Sequence, residues 1–242
     1  TVLADVLYER GRVDESRRLI EESSKLGADE GVIDMIKARF IIGARLALLD
    51  DDRVGATALL DEAVDIADRL DSPRLRAFVE AEYVIHDLPA RHGIEPRVTY
   101  DSRTFPEVGI DAIVAQLDSA SAIRLLRDSS AAADRETASR WAQEWVDHLA
   151  ATGRERAKLR AERLLATCLA AAGRMNDAKR HAAHVVLRCA DTGMVRYPLD
   201  GGVTFLRLVE AIRSDIGKDN WVDAGRRPPV RFLDELLGRV EA

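Results

Sequence analysis

Gly11-Arg12-Val13-Asp14-Glu15-Ser16 and Gly173-Arg174-Met175-Asn176-Asp177-Ala178 are the same phrase written twice, GRVDES and GRMNDA. Each follows a run with alanine and leucine at matching places, Ala4 and Leu7 before the first, Ala166 and Leu169 before the second. Such a phrase reads as the turn of a two-helix repeat. Its glycine supplies the positive φ that ends one helix, its Asp or Asn is expected to cap the next, and Ser16 or Ala178 is small enough for two helices to approach closely.

Outward from these turns the apolar residues recur at helical spacing. Ile36, Phe40, Ile41, Ala44 and Leu48 stripe a helix over about 34–49, and Leu59, Leu60, Ala63, Val64 and Ala67 stripe its partner over 54–70. Asp71-Ser72-Pro73 opens another helix, which runs to about His86. From Glu107 the pattern resumes through Ile113, Leu117, Ile123 and Leu126, breaks at Asp128-Ser129-Ser130, and returns in helices over 135–151, 155–172 and 177–189. The spacing between turns is about 40 residues, within the range of helical repeats. Alternation of period two occurs nowhere, so strands are not expected.

The organisation that follows is one continuous all-helical domain in four sections. Repeats fill 1–92 and 107–192, an irregular loop or insertion occupies 93–106, and a capping segment of two more helices occupies 193–242. A stretch of that length without apolar period is either a binding element or a mobile connector. The chain opens inside a helical pattern and closes directly after another, and is expected to be a piece of a longer protein.

Composition excludes several classes. At 242 residues, 47% hydrophobic and net charge −6, the chain can bury a large core but lacks the basic surface that grips a phosphate backbone. No stretch approaches the roughly 20 apolar residues of a membrane span. A cytoplasmic, non-membrane location is the expectation. Cys168 and Cys189 are the only cysteines and form no disulfide framework.

GRVDES, the alanine-rich helix pairs and the stretch GMVRYPLDGG over 193–202 together resemble the tetratricopeptide-like region of large LuxR-family regulators of the MalT type, a region that recurs in PknK-like serine/threonine kinases. Gly193, Arg196, Asp200 and Gly202 match a family phrase, although Pro198 stands where an aromatic is common and Gly201 where glutamate is common. The resemblance implies a right-handed TPR-like α-solenoid of about five helical hairpins with a C-terminal helical cap. It further implies a sensor or interaction region without catalysis, relaying to an ATPase or kinase domain upstream. The alternative is a regulatory region of a PknK-like kinase, or a scaffold that binds peptide or self-associates.

In such a superhelix the first helix of each pair lines the concave face. Register places Arg39, Tyr83, Asp87, Arg127, Arg160 and Arg163 there, where arginines suit a small anionic effector or an acidic peptide. A solvated face laced with salt bridges to Glu80, Glu162 or Asp134 is the competing reading, and Arg196 and Asp200 could simply pair and fix a turn. No cofactor is expected. His181, His184 and the cysteines lack the paired spacing of a zinc site, and His86-Asp87 has no nucleophile elbow to serve. Trp141 and Trp145, four apart, read as core anchors in preference to a stacking pair.

Overall fold

The computed structural model describes residues 2–25, 32–90, 109–221 and 226–239, and the stretch 93–106 lies outside them. Among the described residues the fold is all helical. Its twelve helices are α1 Val2–Glu9, α2 Val13–Ser24, α3 Ile33–Leu49, α4 Arg53–Arg69, α5 Pro73–His86, α6 Gly109–Arg127, α7 Ala132–Ala151, α8 Glu155–Ala171, α9 Met175–Thr192, α10 Arg196–Leu199, α11 Gly202–Gly217 and α12 Val230–Gly238. They fall into two compact units, residues 1–122 and 123–242.

One turn closes most of these helices. At Gly173 the backbone takes φ +80°, Gly173 N–H donates to the Ala170 carbonyl, and Arg174 N–H reaches back to Leu169 O at 2.8 Å. Gly11, with Arg12 N–H to Leu7 O at 2.9 Å, and Gly153, with Arg154 N–H to Leu149 O at 3.1 Å, repeat it. So do Asp51 and Asp71, where Asp52 N–H reaches Ala47 O and Ser72 N–H reaches Ala67 O, both at 2.9 Å. These bonds satisfy carbonyls that a helix end leaves without partners. The left-handed residues Gly153, Gly173 and Gly193 stand 20 residues apart, as do Asp51 and Asp71, so one helix with its turn is the unit and two make a hairpin.

The residue after the turn begins the next helix, and here the structure corrects the sequence reading. Arg12 and Arg174 occupy the N-cap positions of α2 and α9 without a side-chain cap bond, so Asp14 and Asn176 lie inside the helices. Each arginine instead pairs with an acid three residues on, Arg12 with Glu15 and Arg174 with Asp177. Capping by side chain occurs after the two aspartate turns: Asp52 Oδ1 accepts from Gly55 N–H at 2.8 Å, and Ser72 Oγ from Leu75 N–H at 3.3 Å.

Space around the Gly173 Cβ position is open, so a side chain there meets backbone strain alone. Gly173→Ala is expected to lower stability by about 1 to 2 kcal/mol. Asp51 sits in the same conformation at φ +60°, so Asp51→Gly is expected to raise stability by less than about 1 kcal/mol, relief of strain being offset by the entropy of a freer unfolded chain. Urea midpoints of the two variants check both signs.

Small residues mark where paired helices cross. Seven residues before and five after the left-handed residue stand Ala4 and Ser16, Ala44 and Ala56, Ala166 and Ala178, all at most 1% exposed. Ser16 Oγ donates to the Ala4 carbonyl at 2.8 Å, which a larger side chain at either place would prevent.

In the first unit α1 packs on α2 and α3, α2 on α3, α3 on α4 and α5, and α4 on α5. Its main core joins Phe40, Leu60, Ile66, Leu75 and Val79 with Tyr83, and a smaller cluster holds Tyr8, Ile42 and Leu46 against Val13 and Ile20. In the second unit α7, α8 and α9 pack in succession, α11 lies on α8 and α9, α10 on α9 and α11, and α12 on α11. Trp145, Leu149, Leu165, Val186, Phe205 and Leu208 are buried there. Trp145 meets His148 edge to face at 5.7 Å, while Trp141 is half-buried. Among the described residues no helix is long and apolar enough to cross a membrane.

Candidate functional site

The side chains expected to line a groove divide between the two units. Tyr83 is 3% exposed, and its hydroxyl donates to Asp61 Oδ1 at 2.6 Å, so it belongs to the core of the first unit. Asp87 is exposed and takes the left-handed position that ends α5, and its carbonyl accepts from the guanidinium of Arg53. Arg39 is half-buried, 5.3 Å from the ring of Phe40.

The second unit brings two of its three arginines onto one helix face. Arg127 Nη1 donates to Thr167 Oγ1 on α8 at 3.2 Å, and Nε and Nη2 hold Asp128 at 2.7 Å. Arg163, one turn before Thr167, lies 4.4 Å over the ring of Tyr197 and donates to the Tyr197 carbonyl. Arg160 is exposed.

That contact ties α8 to the 193–202 phrase, whose residues each have a local task. Gly193 takes φ +70° and ends α9, and Met194 N–H reaches back to Cys189 O at 2.9 Å. Arg196 and Asp200 form a largely buried ion pair across α10. Gly202 takes φ +77° at the start of α11. A Cβ on Gly201 would stand 2.8 Å from Phe205 Cβ and 2.9 Å from the Pro198 carbonyl, so no larger residue can enter this backbone unchanged.

Two further polar joints fall outside the predicted set. Glu82 is 4% exposed on α5 and accepts from Arg45 of α3, Nε at 2.9 Å and Nη2 at 2.5 Å, and from His86 Nε2 at 3.2 Å. Burial pushes the Glu82 carboxyl up, but the Arg45 charge and the bonds from His86 and Arg45 outweigh it and hold the group well below the ordinary carboxylate range. Glu162 is 5% exposed on α8 and faces His184 Nδ1 of α9 at 2.7 Å, with Lys158 at 3.8 Å. One signal existed for both. Glu82 follows Leu75 and Val79 on an apolar stripe, and Glu162 precedes Leu165 and Leu169 on another, so each acid interrupts a buried face.

Burial pushes the Cys168 thiol up to about 12, against the pull of Arg127 and Arg124, and both cysteines are fully buried. His181 is depressed by burial, against the pull of Glu162 and Asp177. No group of three His, Cys, Asp or Glu that could hold a metal ion occurs among the described residues.

These joints define an all-helical segment whose buried charges bind helix to helix. The chain is related to a segment of the serine/threonine-protein kinase PknK. It is 35% identical over 204 residues to PknK of Mycobacterium tuberculosis, in strains CDC 1551 and H37Rv, and equally to that of Mycobacterium bovis. The match covers 84% of this chain, and 18% of the length of those kinases. No protein-family profile matches the chain, and no solved structure does.

Proposed function

We propose that this chain is a non-catalytic regulatory and interaction segment of a PknK-like serine/threonine kinase, built of TPR-like hairpins stacked within each unit. The observation that carries the reading is the 35% identity to PknK over a stretch that makes up 18% of the kinase. Its buried ionisable groups support it, since Glu82, Glu162 and Asp200 are each taken up in pairs between or within helices. In this reading the segment acts in the cytoplasm by a shift in population: a protein partner, or a small anionic effector, binds one arrangement of the hairpins better and so biases the kinase domain of the same polypeptide. Self-association into a homo-oligomer would act through the same bias. Neither nucleic acid nor membrane is a partner of the segment. The other form of the reading, an effector sensor below the ATPase of a MalT-type regulator, draws on the Gly193–Gly202 phrase. The kinase relatives favour the first.

Two measurements test it. The 242-residue chain, incubated with ATP, Mg²⁺ and a generic protein substrate, is expected to transfer no phosphate. Added to a PknK deleted of its matching segment, it is expected to associate and to change the rate of autophosphorylation. Phosphotransfer by the isolated chain, or an unaltered kinase that fails to bind it, would overturn the proposal.

A further inference from the structure

The first helix of the first unit carries an apolar face that the repeat itself explains. Val2, Leu3 and Val6 are 55%, 59% and 41% exposed, while Ala4, Leu7 and Tyr8 on the other side of α1 are buried. Counting back from the left-handed turn residue, Val2 and Val6 of α1 correspond to Ile42 and Leu46 of α3 and to Leu164 and Cys168 of α8. The corresponding side chains are buried in α3 and in α8, Ile42 at 1%, Leu46 at 3%, Leu164 at 6% and Cys168 at 0%. What buries Ile42 and Leu46 is the preceding hairpin: Tyr8 from α1, with Val13 and Ile20 from α2, packs directly on them. Gly43, which corresponds to Leu3, likewise lies near Ile20, whose Cγ2 is 3.8 Å from the Gly43 Cβ position. Among the described residues this register therefore has a cover in α3 and α8 and lacks one in α1.

We infer that Val2, Leu3 and Val6 form the docking face for a further helical hairpin of the same repeat, supplied by the segment of the same polypeptide immediately upstream of α1. Its second helix presents aliphatic side chains to Val2 and Val6 as Val13 and Ile20 do to Ile42 and Leu46, and its first helix presents a bulky residue as Tyr8 does. A hairpin cannot bury its outer face alone, so stacking continues until a polar end is reached, and α1 is not polar on this face. The inference rests on repeat register and not on the kinase reading, so failure of the chain to bind a kinase would leave it standing.

Hydrogen exchange on α1 tests it. In the natural polypeptide begun about 40 residues further upstream, amides of Val2–Glu9 are expected to exchange at least about tenfold more slowly than in the 242-residue chain. Leu3→Gln with Val6→Gln is expected to restore fast exchange in the longer polypeptide, while leaving the melting temperature of the 242-residue chain unchanged. Equal exchange in the two polypeptides would overturn the inference. So would a 242-residue chain that sediments as a dimer and is made monomeric by the double variant, because the face would then belong to a second copy.

Discussion

Replacing Arg45 with alanine is expected to destabilise the protein by about 3 to 5 kcal/mol, measured by urea unfolding at pH 7. The size follows from what remains. Glu82 is 4% exposed, and the guanidinium of Arg45 supplies two of the hydrogen bonds that hold its carboxylate. Without Arg45 the charge stays buried with His86 alone among those donors, and desolvation is no longer offset. Replacing both members, Arg45→Met with Glu82→Leu, is expected to restore most of the loss, because an apolar pair of similar volume leaves no charge to solvate.

The same carboxylate sets an acid limit on stability. Its folded value is depressed below the unfolded one, so folding releases rather than takes up a proton there. The stabilisation is complete above about pH 4.5 and is lost as pH falls below that toward the depressed folded value. In the Arg45→Ala variant the fall in stability below about pH 4.5 is expected to be shallower than in the wild type. Parallel acid titrations of unfolding free energy check this.

Ala178→Leu is expected to cost about 1 to 3 kcal/mol through overpacking, read from the shift in urea midpoint at constant slope. Ala178 is 0% exposed at the place where α9 crosses α8, and Ala166, its counterpart on α8, is also 0% exposed. The equivalent place in the first hairpin shows how close such a crossing is, since Ser16 Oγ bonds directly to the backbone of Ala4. Room for three more carbons exists only if the helices separate, and separation uncovers the apolar residues on both sides of the crossing. Ala178→Ser, which reproduces the first hairpin, is expected to stay within about 1 kcal/mol of the wild type.

The glycine turns and the helix faces were legible in the sequence for a local reason. A left-handed residue after a run of period 3.6 needs only its own neighbours to be recognised, and Gly11 and Gly173 stand where that reading puts them. Asp51 lies in the break between the helices expected over 34–49 and 54–70, and Asp71 opens the next one, but neither reads as left-handed, because aspartate also serves as a helix breaker or an N-cap. A spacing of 20 residues between the turn positions distinguishes the two uses, and it shows only when the repeat is counted by single helices rather than by pairs.

Sequence by itself determined the all-helical character of the described residues, where most helices begin and end, and which small residues stand at the crossings. These follow from backbone preference and from the period of burial, which are properties of a few adjacent residues. The tertiary structure decided what the charged residues do. Arg45 and Glu82 are 37 positions apart, Glu162 and His184 are 22 apart, and no helix read by itself names the partner of its acid. Only the packing of one helix on another removes water from them and turns a surface charge into a joint, as packing also takes Tyr83 into the core and sets Arg163 over Tyr197.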